Sequence, residues 1–332
     1  MAITTWADLD RTMVHALDQI LISGSVTTFL ESNARKWGAD FNGVDGIVIR
    51  NYVPTGLQEV TNNSSEIVDA QTEAQTYKLE QKRSFVKAIE KYTNMSQNYA
   101  LNVSNVVAME TKGGLIPELD AYRINSIYKQ APKANVVYSK DLTVDGEDVL
   151  KDVKRTASKL RAKIGTSQPI ICYIKSTLWD LLTESPLAKT IQPITSNMGI
   201  TLTTEVSKLN NLIFIPVADE LMGTTFKANK RSFVTNGELN YVLLPYYSAF
   251  AVAKPATDGT GQAFTYLPNV PGSTKAIVQA FFHHDCFVLK NHSKFIYASA
   301  SGTEPEAAAM EKTTAQAPQP QVQAGMQVLG QK

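Results

Sequence analysis

Cysteine is scarce in this 332-residue chain: only Cys172 and Cys286 are present, too few for a disulfide framework, and a reducing compartment is expected. Neither has a motif around it that would lower its pKa and make it a nucleophile. Charge of one sign is also missing. Lys plus Arg number 32 against 31 for Asp plus Glu, a net charge of +1. That excludes strong non-specific attraction to nucleic acid or an anionic membrane. No long apolar run exists either. The stretch 242 to 253 is broken by Pro245 and Ser248 and falls short of the roughly 20 residues that span a bilayer. Asp8 and Asp10 precede any apolar segment, so no secretory signal and a cytosolic origin are expected. The glycine runs at 258–261 and 271–275 lack a lysine at the offset a phosphate loop needs.

What is there is ordinary globular material, 43% hydrophobic, enough for a sizeable core. Trp6, Leu9, Met13, Leu17 and Ile20 recur at helical spacing behind a Thr5 cap. Residues 24 to 40 are polar and mixed, with Phe29, Leu30 and Trp37 as isolated anchors, suiting an arm on a neighbour as readily as a core element. Residues 46 to 53 are β-branched, a turn follows at 54–56, and 62–65 reads as a polar loop tip.

From 71 to 92 the chain reads as extended. Tyr77, Leu79, Gln81, Arg83 and Phe85 alternate with Lys78, Glu80, Lys82 and Ser84. With charges on both faces it is expected to project as a long hairpin whose partner lies outside the subunit, because unpaired buried charge is costly. Val103, Val106, Val107 and Glu110 predict a helix that stops at Gly113-Gly114, and Pro117 starts another, with Glu118 and Asp120 at its positive end. Val149, Val153, Ala157, Leu160 and Ile164 predict the clearest helix, from a cap at Asp145 to a stop at Gly165. Beyond it, strands are expected at 169–174, 212–217, 241–244, 249–253, 276–289 and 295–298, and a short helix at 176–182. The stretch 302 to 332, rich in Ala, Gln and Pro, is expected to be disordered.

One cluster carries ligand-type side chains: His283, His284, Asp285, Cys286 and, farther on, His292. Zinc needs three or four converging ligands, whereas a strand sends His283 and His284 to opposite faces. A strand with its polar groups toward solvent or a neighbour is the better reading, and no metal or cofactor is expected. The cations Lys151, Lys154, Arg155, Lys159, Arg161 and Lys163 could meet phosphates; balanced by Glu147, Asp148 and Asp152, they fit a solvated helix face better.

Three motifs point further. They are Pro117-Glu118-Leu119-Asp120-Ala121-Tyr122; residues 206 to 217, with Lys208-Leu209-Asn210-Asn211 leading into Leu212-Ile213-Phe214-Ile215-Pro216; and residues 240 to 254 continued by 283–289 and 295–297. In this order, over about residues 1 to 301, they resemble the major capsid proteins of tailed double-stranded DNA phages, which have the Hong Kong 97-type fold. The resemblance implies an α+β subunit: an N-terminal arm (1–42), an extended hairpin loop (43–92), a peripheral domain with a long spine helix (93–166), an axial domain (167–253), return strands (254–301) and a tail (302–332). It implies a structural protein, not an enzyme, that forms hexamers and pentamers of an icosahedral shell assembled in the host cytoplasm. Implied partners are a separate scaffolding protein, a portal, decoration proteins and weakly held duplex DNA, with no membrane. Trp6, Phe29, Trp37, Tyr77, Lys78, Leu79, Lys82, Arg83, Phe85, Glu118 and Asp120 are the candidate inter-subunit contacts. The alternatives are an encapsulin-like nanocompartment shell and, behind it, a zinc-binding enzyme.

Overall fold

Alternation along the strands decides which of two cores each residue enters. The computed structural model describes residues 24–36, 40–41, 46–53, 71–90, 103–139, 142, 146–184, 192–193, 207–209, 211–255, 264–267 and 270–302. Its largest sheet has seven strands. They are β5 (Val136–Ser139), β6 (Ile170–Lys175), β7 (Gln192–Pro193), β8 (Ser207–Leu209), β9 (Leu212–Val217), β12 (Glu238–Pro245) and β16 (Tyr297–Ser301), in the order β5-β16-β12-β6-β9-β8-β7. The β16–β5 and β6–β9 pairs are parallel. Ile170, Cys172 and Ile174 pack with Phe214, Tyr241 and Leu243 beneath α4 (Gly146–Ile164) and α5 (Ser176–Glu184). Ile171 and Tyr173 join Ile213, Ile215, Val242 and Leu244 on the opposite face. Both faces are thus covered, which is why these strands read as continuous apolar runs.

The α4 stripe is borne out: Val149, Val153, Ala157 and Leu160 are fully buried. Gly165 ends the helix at φ +82°, with its N–H on the Arg161 carbonyl at 2.8 Å. Strands and a helix stand at each place expected between 169 and 298.

A four-stranded sheet is built on β15 (Lys275–Val288). β13 (Ala249–Pro255) and β14 (Phe264–Leu267) share one edge of it, and β4 (Gln81–Glu90) takes the other. A third sheet joins β1 (Asp40–Phe41), β2 (Gly46–Val53) and β3 (Gln71–Lys78); β2 and β3 pair from Gly46↔Lys78 to Val53↔Gln71. The short hairpin β10 (Thr225–Ala228) and β11 (Phe233–Asn236) completes the strands named here.

Two expectations are corrected. The helix does not stop at Gly113-Gly114. α2 (Val103–Glu110) runs through a π-helical segment, Thr111–Leu115, into α3 (Ile116–Gln130). Pro117 has no N–H to give the residue four back. The wider turn absorbs that loss: Ile116 N–H bonds the Thr111 carbonyl five residues back, and Thr111 Oγ1 bonds the Val107 carbonyl at 2.8 Å. Neither glycine has the positive φ that would end a helix.

The segment 71–92 is not a hairpin awaiting an outside partner. β3 and β4 lie in different sheets, and β4 pairs with β15 from Gln81↔His284 to Glu90↔Lys275. The alternation was right, since Lys78, Glu80, Lys82 and Ser84 are exposed. The charges on the other face are neutralised inside the subunit. The first helix, the Asp145 cap and the tail fall outside the described residues.

Candidate functional site

Ten of the fifteen residues of α3 are buried, including Glu118, Asp120 and Arg123. A helix enclosed on all sides cannot leave charges unpaired, and each one here grips a different remote segment.

Asp120, 2% exposed, holds the chain just before α1 (Phe29–Lys36). It accepts hydrogen bonds from Ser25 Oγ and Thr27 Oγ1, both at 2.6 Å, and from the N–H groups of Val26 and Thr27 at 3.1 and 3.2 Å. Burial pushes its carboxyl above the usual range, and these donors pull it back. Arg123, wholly buried, donates to Thr27 Oγ1 at 3.0 Å and pairs with Glu31 on α1. Gly24 belongs to the same contact: a Cβ there would sit 2.7 Å from Ile116 Cδ1.

Glu118 grips the strand beside it. Arg83 on β4 donates from Nη2 to Glu118 Oε2 at 2.9 Å and from Nη1 to the Asn229 carbonyl in the β10–β11 turn at 2.8 Å. Tyr122 donates to Asp285 Oδ1 at 2.7 Å, and Asp285 Oδ2 accepts the Glu80 N–H at 2.9 Å, which fixes the junction of β3 and β4. Farther along, Asn125 Nδ2 donates to the Gly223 carbonyl at 3.1 Å, and Ser126 Oγ to the Cys286 carbonyl at 2.9 Å. One helix thus clasps the approach to α1, the base of β4, the β10–β11 turn and the end of β15.

The His283 to Cys286 run contributes to this clasp and not to a metal centre. Among the described residues no group of three His, Cys, Asp or Glu side chains converges as a metal site would require. His284 is 1% exposed, edge-on to the Tyr122 ring at a centroid distance of 5.3 Å, with no hydrogen-bond partner on either nitrogen. Burial, then Arg123, Arg83 and His283, push its pKa down to about 3. Cys286, fully enclosed, is pushed up to about 12 by burial and is an inert thiol. The strand reading holds, but His284, Asp285 and Cys286 face the subunit's own helix, not solvent or a neighbour.

The other candidates divide. Phe29 and Leu79 are 2% and 1% exposed and fill their own subunit's cores. Tyr77 packs on Phe250 and Phe287, and Phe85 on Phe282. Glu118, Asp120 and Arg83 are engaged internally as above. Lys78 and Lys82 point outward. Trp6 and Trp37 lie outside the described residues. On α4 the cations Lys151, Lys154, Arg155, Lys159 and Lys163 are exposed, while Arg161 is half-buried.

No protein-family model matches the chain, and no curated protein sequence does. Solved structures do. A chain of the asymmetric unit of the bacteriophage PhiM1 mature capsid superposes with a TM-score of 0.53 at 10% identity, covering 80% of this chain and 84% of its own length. The capsid structure of the cyanophage P-SCSP1u gives 0.53 at 8% identity, covering 80% and 86%. A chain of Mycobacterium phage Che8 gives 0.52 at 10% identity, covering 83% and 91%. At such identities the likeness is one of fold. The chain has the α+β, Hong Kong 97-type fold of phage capsid proteins.

Proposed function

We propose that the chain is a structural subunit that assembles with copies of itself, as hexamers and pentamers, into the icosahedral head of a tailed phage. The observation that carries this is the fold likeness to capsid chains over four-fifths of the sequence. The α3 clasp supports it, because shell subunits need rigid bodies with fixed contact surfaces, and heterologous contacts related by rotation close into rings. The buried groups offer no reacting centre: Cys172 and Cys286 are enclosed thiols raised by burial. In this reading residues 1–42 form an arm, 43–92 the extended loop, 93–166 the peripheral domain, 167–253 the axial domain and 254–301 the return strands. Exposed Lys78 and Lys82 contact neighbours, as do Trp6 and Trp37. A separate scaffolding protein and a portal join the assembly, and packaged duplex DNA is held without sequence specificity.

Sedimentation velocity and negative-stain microscopy of the purified full-length chain, alone and co-expressed with a scaffolding protein, test the reading. Closed shells with pentameric and hexameric capsomers are expected. Small symmetric oligomers under every condition would overturn it.

A further inference from the structure

A groove of about 500 Å³ runs along β4, between the π-helical segment and the β10–β11 turn. Six consecutive β4 residues, Arg83 to Ala88, line it, as happens when a strand presents its edge. Among the described residues that edge makes no ladder, β15 being the one strand paired with β4. An open edge is a template for a further extended segment. Val86 is 56% exposed beside it.

The groove's charges do not balance. Its two acids are each matched, Glu118 with Arg83 and Glu110 with Lys87 at 2.7 Å. Lys230 and Arg231, exposed on the β10–β11 turn, make no ion pair or hydrogen bond among the described residues. The surplus is two positive charges. Gly114 also lines the groove, and a Cβ there would meet nothing within 4 Å. A helical glycine costs about 1 kcal/mol relative to alanine, and no neighbour within the subunit forbids a side chain here. The missing side chain leaves room for another backbone to approach.

The sequence holds a matching segment. Between Arg50 and Lys78 there is no Lys or Arg, and Glu59, Glu66, Asp69 and Glu73 stand there, beside Leu57, Val60, Ile67 and Val68. Residues 54–70 lie beyond the far end of the β2–β3 pair. The groove lies on the other side of the Leu79-Glu80 link, along β4. At about 3.3 Å per strand residue, the eight residues of β3 alone put roughly 25 Å between that far end and the start of β4, and the two strands do not fold back on each other.

We infer that this groove is the socket for residues 54–70 of a second copy, with Lys230 and Arg231 meeting Glu59, Glu66 and Asp69. The inference rests on the shell reading above and specifies which surface receives the loop. Plug and socket at opposite ends of one chain make a heterologous contact, which propagates from copy to copy.

Disulfide trapping in the full-length chain tests it, since native Cys172 and Cys286 are both buried. Asn63→Cys chains mixed with Ser232→Cys chains should form cross-linked dimers on oxidation, and the double variant a ladder. Lys230→Glu with Arg231→Glu should cut trapping about tenfold or more, and adding Glu66→Lys with Asp69→Lys should restore it. A fast-migrating, internally bridged monomer would overturn the inference. So would shells that form with no cross-link, though the shell reading would survive. Cross-links with charge-swap rescue but no shells would keep the socket and remove the shell reading.

Discussion

The seven-stranded sheet and the α3 clasp are both buried, yet they are held by opposite means. In the sheet, Ile170 to Ile174, Leu212 to Ile215 and Leu239 to Leu244 supply uninterrupted buried surface, and cohesion is spread over many interchangeable contacts. In the clasp it rests on a few atoms: two guanidinium groups, the carboxylates of Glu31, Glu118, Asp120 and Asp285, and the hydroxyls of Ser25, Thr27 and Tyr122. Bulk burial tolerates exchange of one apolar group for another, whereas directional pairing fixes which segments meet.

The sharpest way to break the clasp is Arg123→Ala. It leaves the Asp120 carboxylate buried without its counter-charge, and a loss of about 3–5 kcal/mol is expected in the urea midpoint of the full-length chain. A loss below about 1 kcal/mol would show that the clasp does not hold the segment before α1. In the sheet, Leu243→Ala should cost about 2–5 kcal/mol, and Leu243→Met less than about 1.5. Arg123→Lys, equally conservative on paper, should exceed that, because an ammonium cannot fork to Thr27 and Glu31. Equal tolerance at the two positions would erase the contrast.

The smallest effect expected is a pH dependence confined to the clasp. His284 has a pKa of about 3 when folded, against about 6.5 in an unfolded chain. Its contribution is complete above pH 6.5 and is lost as pH falls, since only the unfolded chain takes up the proton. The loss reaches about 2 kcal/mol at pH 5. Asp120 and Asp285 are raised, so they act in the opposite sense and favour the folded form in acid. Tyr122, Arg123, Arg83 and His283 are the other titratable or charged groups about the ring. A His284→Leu variant should therefore lose the acid-side slope. An unchanged slope would place its origin elsewhere.

Much of the sheet was legible from sequence because its signals are local. A stripe such as Val149 to Leu160, or a run such as Leu212 to Val217, announces its element within a few turns or pleats. The capsid-type fold was legible through the order of short motifs, chiefly the one at Pro117 to Tyr122. The clasp was not. Asp120 meets Ser25 across 95 positions, and Tyr122 meets Asp285 across 163, separations no periodicity reports. Charges alternating on both faces of 77–84 looked unfit for burial because Glu118, the partner of Arg83, sits 35 residues away. A helix bearing Glu118, Asp120 and Arg123 around its circumference was the one available hint that it is enclosed. The glycine pair misled for another reason: Pro117 looked like a fresh start, whereas a π turn carries the helix past it.

The pairing of β4 with β15 has a mechanical meaning. Ten residue pairs join the two strands along their length. A pull on the hairpin loop, transmitted along β3 into β4, runs parallel to the strands and loads all those hydrogen bonds at once; a pull across them would open the bonds one by one. Arg83 pins the base of β4 to α3 and to the β10–β11 turn, so such a load spreads into three elements of the subunit. A wall under outward pressure from its contents needs joints that resist sliding, and this strand is built as one.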